Sequence, residues 1–193
     1  MQSSNTLYPV FLKLENMQVL LVGAGNVALE KLESLLGNAP ATAITIVAPV
    51  IKEELRAYIQ KFTACSIIAR GFEESDLEGK HIVVCATDNK ALHLQVKALA
   101  NAKGLLVNVA DTPGLCDFYL GSIVQKGNLK IAISTNGKSP TIAKRVKEVL
   151  NDTLPAEIDA LLDNMQSIRN KMSGDFAQKV KQLNEITKKL TEK

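Results

Sequence analysis

The sequence predicts an α/β fold with a parallel sheet, followed by a hairpin region and a helical tail. Up to about residue 113, short and almost continuously apolar runs alternate with segments of helical periodicity. That alternation is typical of parallel strands covered by helices on both faces. Two runs of alternating residues around the turn "QKGN" then indicate an antiparallel hairpin. Beyond residue 150, apolar residues recur three and four positions apart, which indicates helices.

Five apolar runs supply the strands of the sheet, in the order "MQVLLV", "AITIVAP", "CSIIAR", "HIVVCA" and "LLVNVA". After the first strand, "NVALEKLESLLG" predicts a helix that Gly37 ends as a cap. Residues 50–61 predict a second helix, and a third lies between the last two strands. After the hairpin, "KSPTIAKRVKEVL" predicts a helix with Ser139 as N-cap and Pro140 at its first position. We therefore expect three domains, in residues 1–113, 114–150 and 151–193.

The composition argues against several classes of protein. The chain of 193 residues is 46% hydrophobic and 22% charged, and its net charge of +3 is spread along the sequence, so nucleic-acid binding is not expected. Three cysteines without a CxxC pair predict neither a disulfide framework nor a metal site. The sequence has no recognisable signal peptide and no apolar run long enough to cross a bilayer. We expect a cytoplasmic protein without a membrane partner.

The stretch "GAGNVA", residues 23–28, follows the first strand and opens the first helix. In a dinucleotide loop of this GxGxxA form, Gly23 allows the tight turn, Gly25 lets a pyrophosphate approach the helix N-terminus, and Ala28 lets helix and strand pack closely. Because strand, loop and helix occur in the required order, the sequence predicts a Rossmann-type dinucleotide site. The alternative is a tight turn that binds no ligand.

The second strand ends in "TIVAP", without the carboxylate that usually binds an adenosine ribose. Backbone groups around Pro49 and Val50 are then left to contact the ribose. No arginine directly follows the strand to bind a 2′-phosphate, and Lys52 is the nearby cation. We therefore expect NAD to be the cofactor, bound with modest affinity, and NADP to be disfavoured.

Asp111 is the candidate catalytic residue. It follows the fifth strand in "NVADTPG", and ligands of open α/β sheets bind beyond the carboxyl ends of the strands. A carboxylate there can act as a general base, although an aspartate before Thr-Pro-Gly is also a good turn residue. The two histidines, His81 and His93, are interpreted as structural or solvent-facing, because the sequence indicates no partner for either.

A polar stretch, "STNGKSPTIAKR", lies between the hairpin and the next helix and concentrates hydrogen-bond donors and positive charge. The helix N-terminus adds positive potential, which suits a substrate that carries carboxylates or phosphates. The alternative is simple capping of that helix. The candidate substrate-binding residues are Ser134, Thr135, Lys138, Ser139 and Arg145.

Several of these segments together resemble one known family: "YPVFLKLENMQVLLVGAGNVALEK", "TIVAP", "CATDNKALHLQV", "VNVAD" and "ISTNGKSPTIAKRVKEVL". Over roughly residues 8–150 they resemble the precorrin-2 dehydrogenase and sirohydrochlorin ferrochelatase module of the siroheme synthase family. The resemblance implies NAD-dependent oxidation of precorrin-2, a tetrapyrrole, to sirohydrochlorin, and a homodimer formed through the hairpin and helical parts. Some relatives also insert iron or cobalt into the product, and the sequence leaves this ferrochelatase activity open.

Carried over by position, the resemblance implies that residues 1–113 bind NAD and that residues 114–150 serve dimerisation and the substrate. It makes Asp111 the catalytic residue, and it puts Thr135 where some relatives have a serine facing the substrate. His93 departs from the family, whose members often have asparagine there. The expected NAD-contacting residues are Gly23, Gly25, Asn26, Val27, Pro49, Val50 and Thr87.

Two other function classes stay open at this point. A non-catalytic NAD-binding sensor or interaction module would need the glycine loop but not Asp111. A different NAD reductase could act on a small acid. The succession of "VNVAD" and "STNGKSP" favours the tetrapyrrole enzyme, because a sensor has no need for both segments.

Overall fold

The computed structural model describes residues 5–173 and 175–187. Gly174 and residues 188–193 of the predicted helical domain therefore lie outside the described residues. The chain folds as two compact units, Met1–Leu120 and Gly121–Lys193. The three domain boundaries predicted from the sequence stay predictions. None of the helices within the described ranges is both long and apolar enough to span a membrane.

The first unit is built on a five-stranded sheet in which all neighbouring strands are parallel. Its strands are β1 (Gln18–Val22), β2 (Ala43–Val47), β3 (Cys65–Ile68), β4 (Ile82–Cys85) and β5 (Leu106–Val109). The strand order is β3-β2-β1-β4-β5, so the chain crosses over after β3 and adds β4 on the other side of β1. In such sheets, ligands bind in the crevice at this change of direction. The predicted Rossmann-type sheet is confirmed.

Helices cover both faces of this sheet: α1 (Asn26–Asn38), α2 (Glu53–Ile59) and α3 (Lys90–Ala102). Leu21 and Leu20 are neighbours in β1 but pack into separate apolar clusters, the first with Leu32 of α1 and the second with Val96 of α3. All four side chains are fully buried. Because side chains alternate across a strand, burial of both faces explains why the strands are apolar throughout.

The end of α1 differs from the prediction. Gly37 was expected to cap this helix, but α1 continues through it to Asn38. The Asn38 side chain donates a hydrogen bond to the Ser34 carbonyl at 2.8 Å. The helix closes one residue later, where the Ala39 N–H donates to the Leu35 carbonyl at 2.9 Å.

The beginning of α2 also differs, since the helix spans Glu53–Ile59 rather than residues 50–61. Lys52 has an extended backbone, and its N–H donates to the Ala24 carbonyl at 3.1 Å. That bond ties the segment after β2 to the glycine loop after β1. Lys52 is therefore held beside the loop with an extended backbone, and the helix begins only after it.

The second unit begins with the antiparallel hairpin of β6 (Ser122–Lys126) and β7 (Leu129–Ile133). Its turn has two residues, and the first, Gly127, has a φ of +54°, which glycine adopts readily. The second, Asn128, donates its backbone N–H and its side-chain amide to Asp159 at 2.7 and 3.0 Å. The predicted hairpin is confirmed, and its turn is anchored to the helix that carries Asp159.

Three helices complete the second unit: α4 (Pro140–Thr153), α5 (Ile158–Lys171) and α6 (Phe176–Thr187). The Ser139 hydroxyl accepts from the Ile142 N–H at 3.1 Å and caps α4, with Pro140 at the first helical position. Both predictions for this helix start are confirmed. Helices α5 and α6 contribute no buried residue within the described part of the chain.

Candidate active site

The glycine loop after β1 can be formed only with a glycine at its first position. Gly23 has a φ of +110°, and a Cβ added there would lie 2.5 Å from the Ala86 carbonyl oxygen and 3.0 Å from the Thr87 methyl group. Its N–H donates to the Val47 carbonyl at 2.9 Å. The loop is therefore pressed against the ends of the two strands that flank β1, as the predicted tight turn requires.

Gly25 meets a different requirement. It is the N-cap of α1, with a φ of −90° and no side-chain cap, and an added Cβ would have no atom within 4 Å. Open space therefore lies in front of the helix, whose first N–H groups have no partner within the helix. A helix N-terminus of this kind binds anions. The space at Gly25 leaves room for the pyrophosphate of a dinucleotide, and the contact with the cofactor stays a prediction.

The segment after β2 forms the second wall of this site. Pro49 is exposed, and the Val50 side chain is 79% exposed despite being apolar. Val27, in the first turn of α1, is also partly exposed, at 38%. The hydrogen bond from the Lys52 N–H to the Ala24 carbonyl holds the segment after β2 beside the glycine loop. Contact of Val27, Pro49 and Val50 with a nucleotide stays a prediction.

Lys52 is held by groups on both sides of it. Its ammonium donates to the Asn26 side-chain oxygen at 2.5 Å and lies 3.3 Å from a Glu54 carboxylate oxygen. The pKa of Glu54 is lowered, first by a backbone hydrogen bond and then by the bond to Lys52. The Lys52 ammonium therefore already has Asn26 and Glu54 as partners. A 2′-phosphate would have to compete with these partners for it.

Thr87 follows β4 and makes a contact that the sequence interpretation missed. Its hydroxyl lies 2.9 Å from His93 Nε2 and accepts from the Asn89 N–H at 3.3 Å. His93 is only 4% exposed. The partners of both histidines, which the sequence did not indicate, are thus visible in the structure, since His81 Nδ1 also accepts from the Gln18 N–H at 2.9 Å.

A helical pattern in the sequence could have revealed the burial of His93. His93, Val96 and Ala100 follow one another at spacings of three and four, and these three are the buried residues of α3. A polar side chain on the buried stripe of a helix requires a hydrogen-bond partner. The pattern therefore indicated that a partner existed, although it could not name Thr87.

Asp111 lies directly beyond β5, in the left-handed region with a φ of +55°. It is exposed, and none of the hydrogen bonds of the described residues involves its carboxylate. Left-handed backbone is uncommon outside glycine, although aspartate and asparagine tolerate it best. Because β5 pairs with β4 and β4 with β1, the carboxylate and the glycine loop belong to the same edge of one sheet.

The segment after Asp111 is fastened back to β5. The Cys116 thiol donates to the Val109 carbonyl and accepts from the Val109 N–H, both at 3.2 Å. Asp117 accepts from the Val107 N–H at 2.9 Å and pairs with Lys97 at 2.5 Å. Burial raises the pKa of Cys116, so this cysteine stays a protonated thiol. These residues fix the loop that carries Asp111 and were not identified from the sequence.

The candidate substrate-binding residues belong to the second unit. The Thr135 hydroxyl donates to the Ser139 carbonyl at 3.1 Å and accepts from the Ser139 N–H at 3.2 Å. Ser134 accepts from the N–H of Asn136 at 3.2 Å, and Asn136 has a φ of +54°. Three of the predicted hydroxyls therefore shape the loop and cap the helix. Their role toward a substrate stays a prediction.

The two predicted cations of this segment are both exposed. Arg145 pairs with Glu148 on the surface of α4 at 2.6 Å. Lys138 makes no side-chain hydrogen bond or ion pair with the described residues. The structure thus brings the predicted cofactor residues and Asp111 to one sheet edge in the first unit, and it groups Ser134 to Ser139 in one loop of the second. Over the described residues, no cluster of three histidine, cysteine or acidic side chains could hold a metal ion.

Comparison with known proteins identifies two family models in this chain. The model described as "Putative NAD(P)-binding" matches residues 10–122, which include every residue of the glycine loop and Asp111. The model described as "Sirohaem biosynthesis protein central" matches residues 126–152, which include the loop from Ser134 to Ser139 and most of α4.

Relatives of known name include the siroheme synthase of Psychrobacter sp. (strain PRwf-1), which is 37% identical over 90% of this chain. The siroheme synthase of Nitrosococcus oceani is 38% identical over 76% of this chain. The matched regions cover 34% and 31% of those proteins, so the chain spans about a third of the length of the curated relatives it matches.

One solved structure resembles nearly the whole chain. It is described as SirC, precorrin-2 dehydrogenase, and it superimposes with a TM-score of 0.73 and 27% sequence identity, covering 93% of this chain and 89% of that one. The fold predicted from the sequence is thus found in a solved protein over both units. The sequence of this chain is similar to the matched third of the siroheme synthases, and the sirohaem model follows directly after the NAD(P)-binding model. Because the NAD(P)-binding model matches more than half of its length, this chain belongs to the NAD(P)-binding family.

Proposed function

We propose that this chain is an NAD-dependent dehydrogenase that oxidises precorrin-2 to sirohydrochlorin in siroheme biosynthesis. The observation that carries the proposal is the exposed Asp111 carboxylate, at the same sheet edge as a glycine loop open to a pyrophosphate. Similarity to siroheme synthases and to a precorrin-2 dehydrogenase supplies the class of substrate. A sensor would need the loop without this carboxylate.

NAD rather than NADP is the proposed cofactor. No carboxylate ends β2, so the ribose is held by backbone groups and by apolar contact with Val27 and Val50. Lys52 is the cation nearest to the expected 2′-position, and it is engaged by Asn26 and Glu54. Glu54 also places a negative charge beside that position, which disfavours a phosphate. These features support NAD with modest affinity.

The reaction removes a hydride and a proton from the substrate. NAD, when bound, accepts the hydride, and this redox chemistry belongs to the cofactor. Asp111 is proposed to accept the proton, so that the two electrons leave with the hydride and the product gains one double bond. A general base must be ionised and able to reach the proton. The Asp111 carboxylate is exposed and not bonded to the described residues, so it can accept a proton.

Precorrin-2 is a polycarboxylate, and the proposed contacts to it are cationic. Lys138 is exposed and has no side-chain partner in the described chain, so it can bind a carboxylate. Arg145 would have to exchange Glu148 for the substrate. Ser134, Thr135 and Ser139 are proposed to keep the loop in shape while the α4 N-terminus adds positive potential.

A homodimer is the proposed assembly. Ile142, Val146 and Val149 lie along one side of α4 and are 55%, 40% and 62% exposed. Exposed apolar surface of this kind marks a protein contact. Light scattering should therefore give a mass about twice the chain mass of 20.9 kDa. A mass of one chain at micromolar concentration would contradict the proposal.

The experiment is a direct assay of the purified chain with precorrin-2 and NAD. We expect NADH absorbance to appear together with the spectrum of sirohydrochlorin, one molecule of each per turnover, with a lower specificity constant for NADP. NAD binding without turnover would reject the dehydrogenase and favour the sensor. Adding ferrous or cobalt ions to the product in a second assay decides whether chelation also belongs to this chain.

A further inference from the structure

We propose that His93 is a positioning residue of the cofactor site. In this proposal His93 donates from Nε2 to the Thr87 hydroxyl, which lies 2.9 Å away, and the hydrogen of that hydroxyl is left to be donated to the bound dinucleotide. The inference rests on the proposed function, because it assumes that NAD binds beside the glycine loop. It assigns a role to a buried histidine that the dehydrogenase chemistry itself does not use.

The burial of His93 is the first step. It is the fourth residue of α3, on the side of the helix that packs against the sheet, and it is 4% exposed. Burying a polar ring without a partner is costly, and the Thr87 hydroxyl, 2.9 Å from Nε2, is its partner among the described residues. The pair therefore links α3 to the end of β4.

The position of Thr87 is the second step. The Ala86 N–H donates to the Val22 carbonyl at 2.8 Å, which continues the pairing of β4 with β1 by one residue. The Thr87 methyl group is 3.0 Å from the point where a Cβ on Gly23 would lie. Thr87 is therefore in contact with the glycine loop, and it is only partly buried. Its methyl group faces that loop and its hydroxyl lies 2.9 Å from His93. The proposal is that a ligand of the loop extends past the methyl group to this hydroxyl.

The hydrogen-bond capacity of Thr87 is the third step. A hydroxyl has one hydrogen to donate and two lone pairs that accept. The Asn89 N–H occupies one lone pair at 3.3 Å. If His93 donates from Nε2, both lone pairs are occupied and the hydrogen must point to a third partner. If His93 accepted instead, that hydrogen would be used inside the protein. Phosphate oxygens accept only, so the first arrangement is the one that serves a pyrophosphate.

The test measures NAD binding directly by calorimetry, without precorrin-2. Thr87→Val removes the hydroxyl and should weaken NAD binding by about three- to tenfold, the effect of one hydrogen bond. His93→Leu should weaken it by a similar factor, whereas His93→Gln, whose amide can still donate at that distance, should retain most of the affinity. In the double variant, Thr87→Val with His93→Leu, the loss should not exceed that of Thr87→Val alone.

His81 provides the matched control. It is the other histidine of the chain and bonds to Gln18 at the start of β1, far along the strand from the glycine loop. His81→Gln should bind NAD like the natural protein. Thermal melts of every variant separate lost binding from lost folding, and if His93→Leu fails to fold, His93→Gln and Thr87→Val still decide the matter.

Several results would overturn the inference. These are additive losses in the double variant, unchanged affinity in His93→Leu, or a His93→Gln variant as weak as His93→Leu. Turnover with precorrin-2 is measured separately, and we expect a raised KM for NAD with nearly unchanged kcat in Thr87→Val. A natural protein that binds NAD but does not oxidise precorrin-2 would reject the proposed function and leave the role of His93 standing. A natural protein that binds no NAD would reject both.

Discussion

In the first unit, apolar side chains on both faces of the sheet are buried, and Leu20 and Leu21 of β1 are both fully covered. In the second unit, Val124 and Ala143 are the buried apolar residues among those described. For the polar groups of the candidate site the order is reversed, since the group in the first unit is open and those in the second unit are hydrogen-bonded. The carboxylate of Asp111 is exposed and has no partner among the described residues, whereas the hydroxyls of Thr135 and Ser139 form hydrogen bonds within their own loop and helix start.

This contrast indicates what each unit can bind. The first unit buries the apolar side chains of its sheet and leaves the Asp111 carboxylate open at one sheet edge, which suits a small polar ligand. The second unit has satisfied its hydroxyls locally and has exposed apolar side chains on α4, which suits a protein surface.

Asp111→Asn tests whether the open carboxylate is the base. Asparagine also tolerates the left-handed backbone, so the turn and NAD binding should be kept. Loss of a general base typically lowers turnover by about 10²–10⁴-fold, and we expect a fall in that range in sirohydrochlorin formation. Calorimetry with NAD and a thermal melt show whether the variant is folded. Near-normal turnover in a folded, NAD-binding variant would make Asp111 a turn residue and remove it from the mechanism.

Two variants of the glycine loop distinguish an effect on stability from an effect on NAD binding: Gly23→Ala and Gly25→Ala. At Gly23, a methyl group would meet the Ala86 carbonyl in a strained backbone, so we expect the free energy of unfolding to fall by about 1–3 kcal/mol or more. At Gly25, the backbone is allowed and the space is empty, so stability should hardly change. That methyl would instead occupy the place proposed for the pyrophosphate, and NAD affinity should fall.

Urea unfolding and NAD titration of both glycine variants check this pair. The sharpest result is a stable Gly25→Ala protein with weak NAD binding. If Gly25→Ala bound NAD as the natural protein does, the open space before α1 would not be the phosphate site.

Asp76 is a buried, fully hydrogen-bonded carboxylate of the first unit, in contrast to the exposed carboxylate of Asp111. Arg70 donates to both of its carboxylate oxygens at 2.9 and 2.7 Å, and the Glu73 N–H donates at 2.8 Å. These hydrogen bonds, with those from Arg70 as the main cause, lower the pKa of Asp76 against the opposing effect of burial. Asp76→Asn should therefore cost stability, about 1–3 kcal/mol at pH 7, without changing NAD affinity.

The pH dependence of that loss has a defined sign. A carboxyl whose pKa is lowered on folding contributes its full stabilisation above its unfolded pKa of about 3.9, and loses it as the pH falls through the lower folded value. The difference between Asp76→Asn and the natural protein should thus narrow below about pH 4. Urea unfolding at pH 7 and pH 3 measures it, and a difference that widened in acid would contradict the assignment.

The sheet, the hairpin and the glycine loop could be predicted from the sequence because each is encoded locally. Apolar runs give the strands, and the spacing of Gly23, Gly25 and Ala28 gives the loop. Contacts between separate elements have no such local signal. The bond between Thr87 and His93 joins a strand end to a helix, and Lys52 reaches Asn26 across 26 positions. The two hydrogen bonds between the Thr135 hydroxyl and the Ser139 backbone depend on a loop geometry that residue types alone do not specify.

Gly37, which was wrongly predicted to cap α1, is the site of the smallest expected change in stability. This glycine lies inside α1, is exposed, and has no atom within 4 Å of an added Cβ. Because glycine loses more backbone freedom than alanine in a helix, Gly37→Ala should raise the free energy of unfolding by about 0.5–1 kcal/mol. Gly79 is the matched control, since it has the same empty space but a φ of +67°. Gly79→Ala should therefore destabilise the protein where Gly37→Ala stabilises it. Urea unfolding of both variants checks the signs, and a shift of the same sign in the two would show that backbone conformation is not the cause.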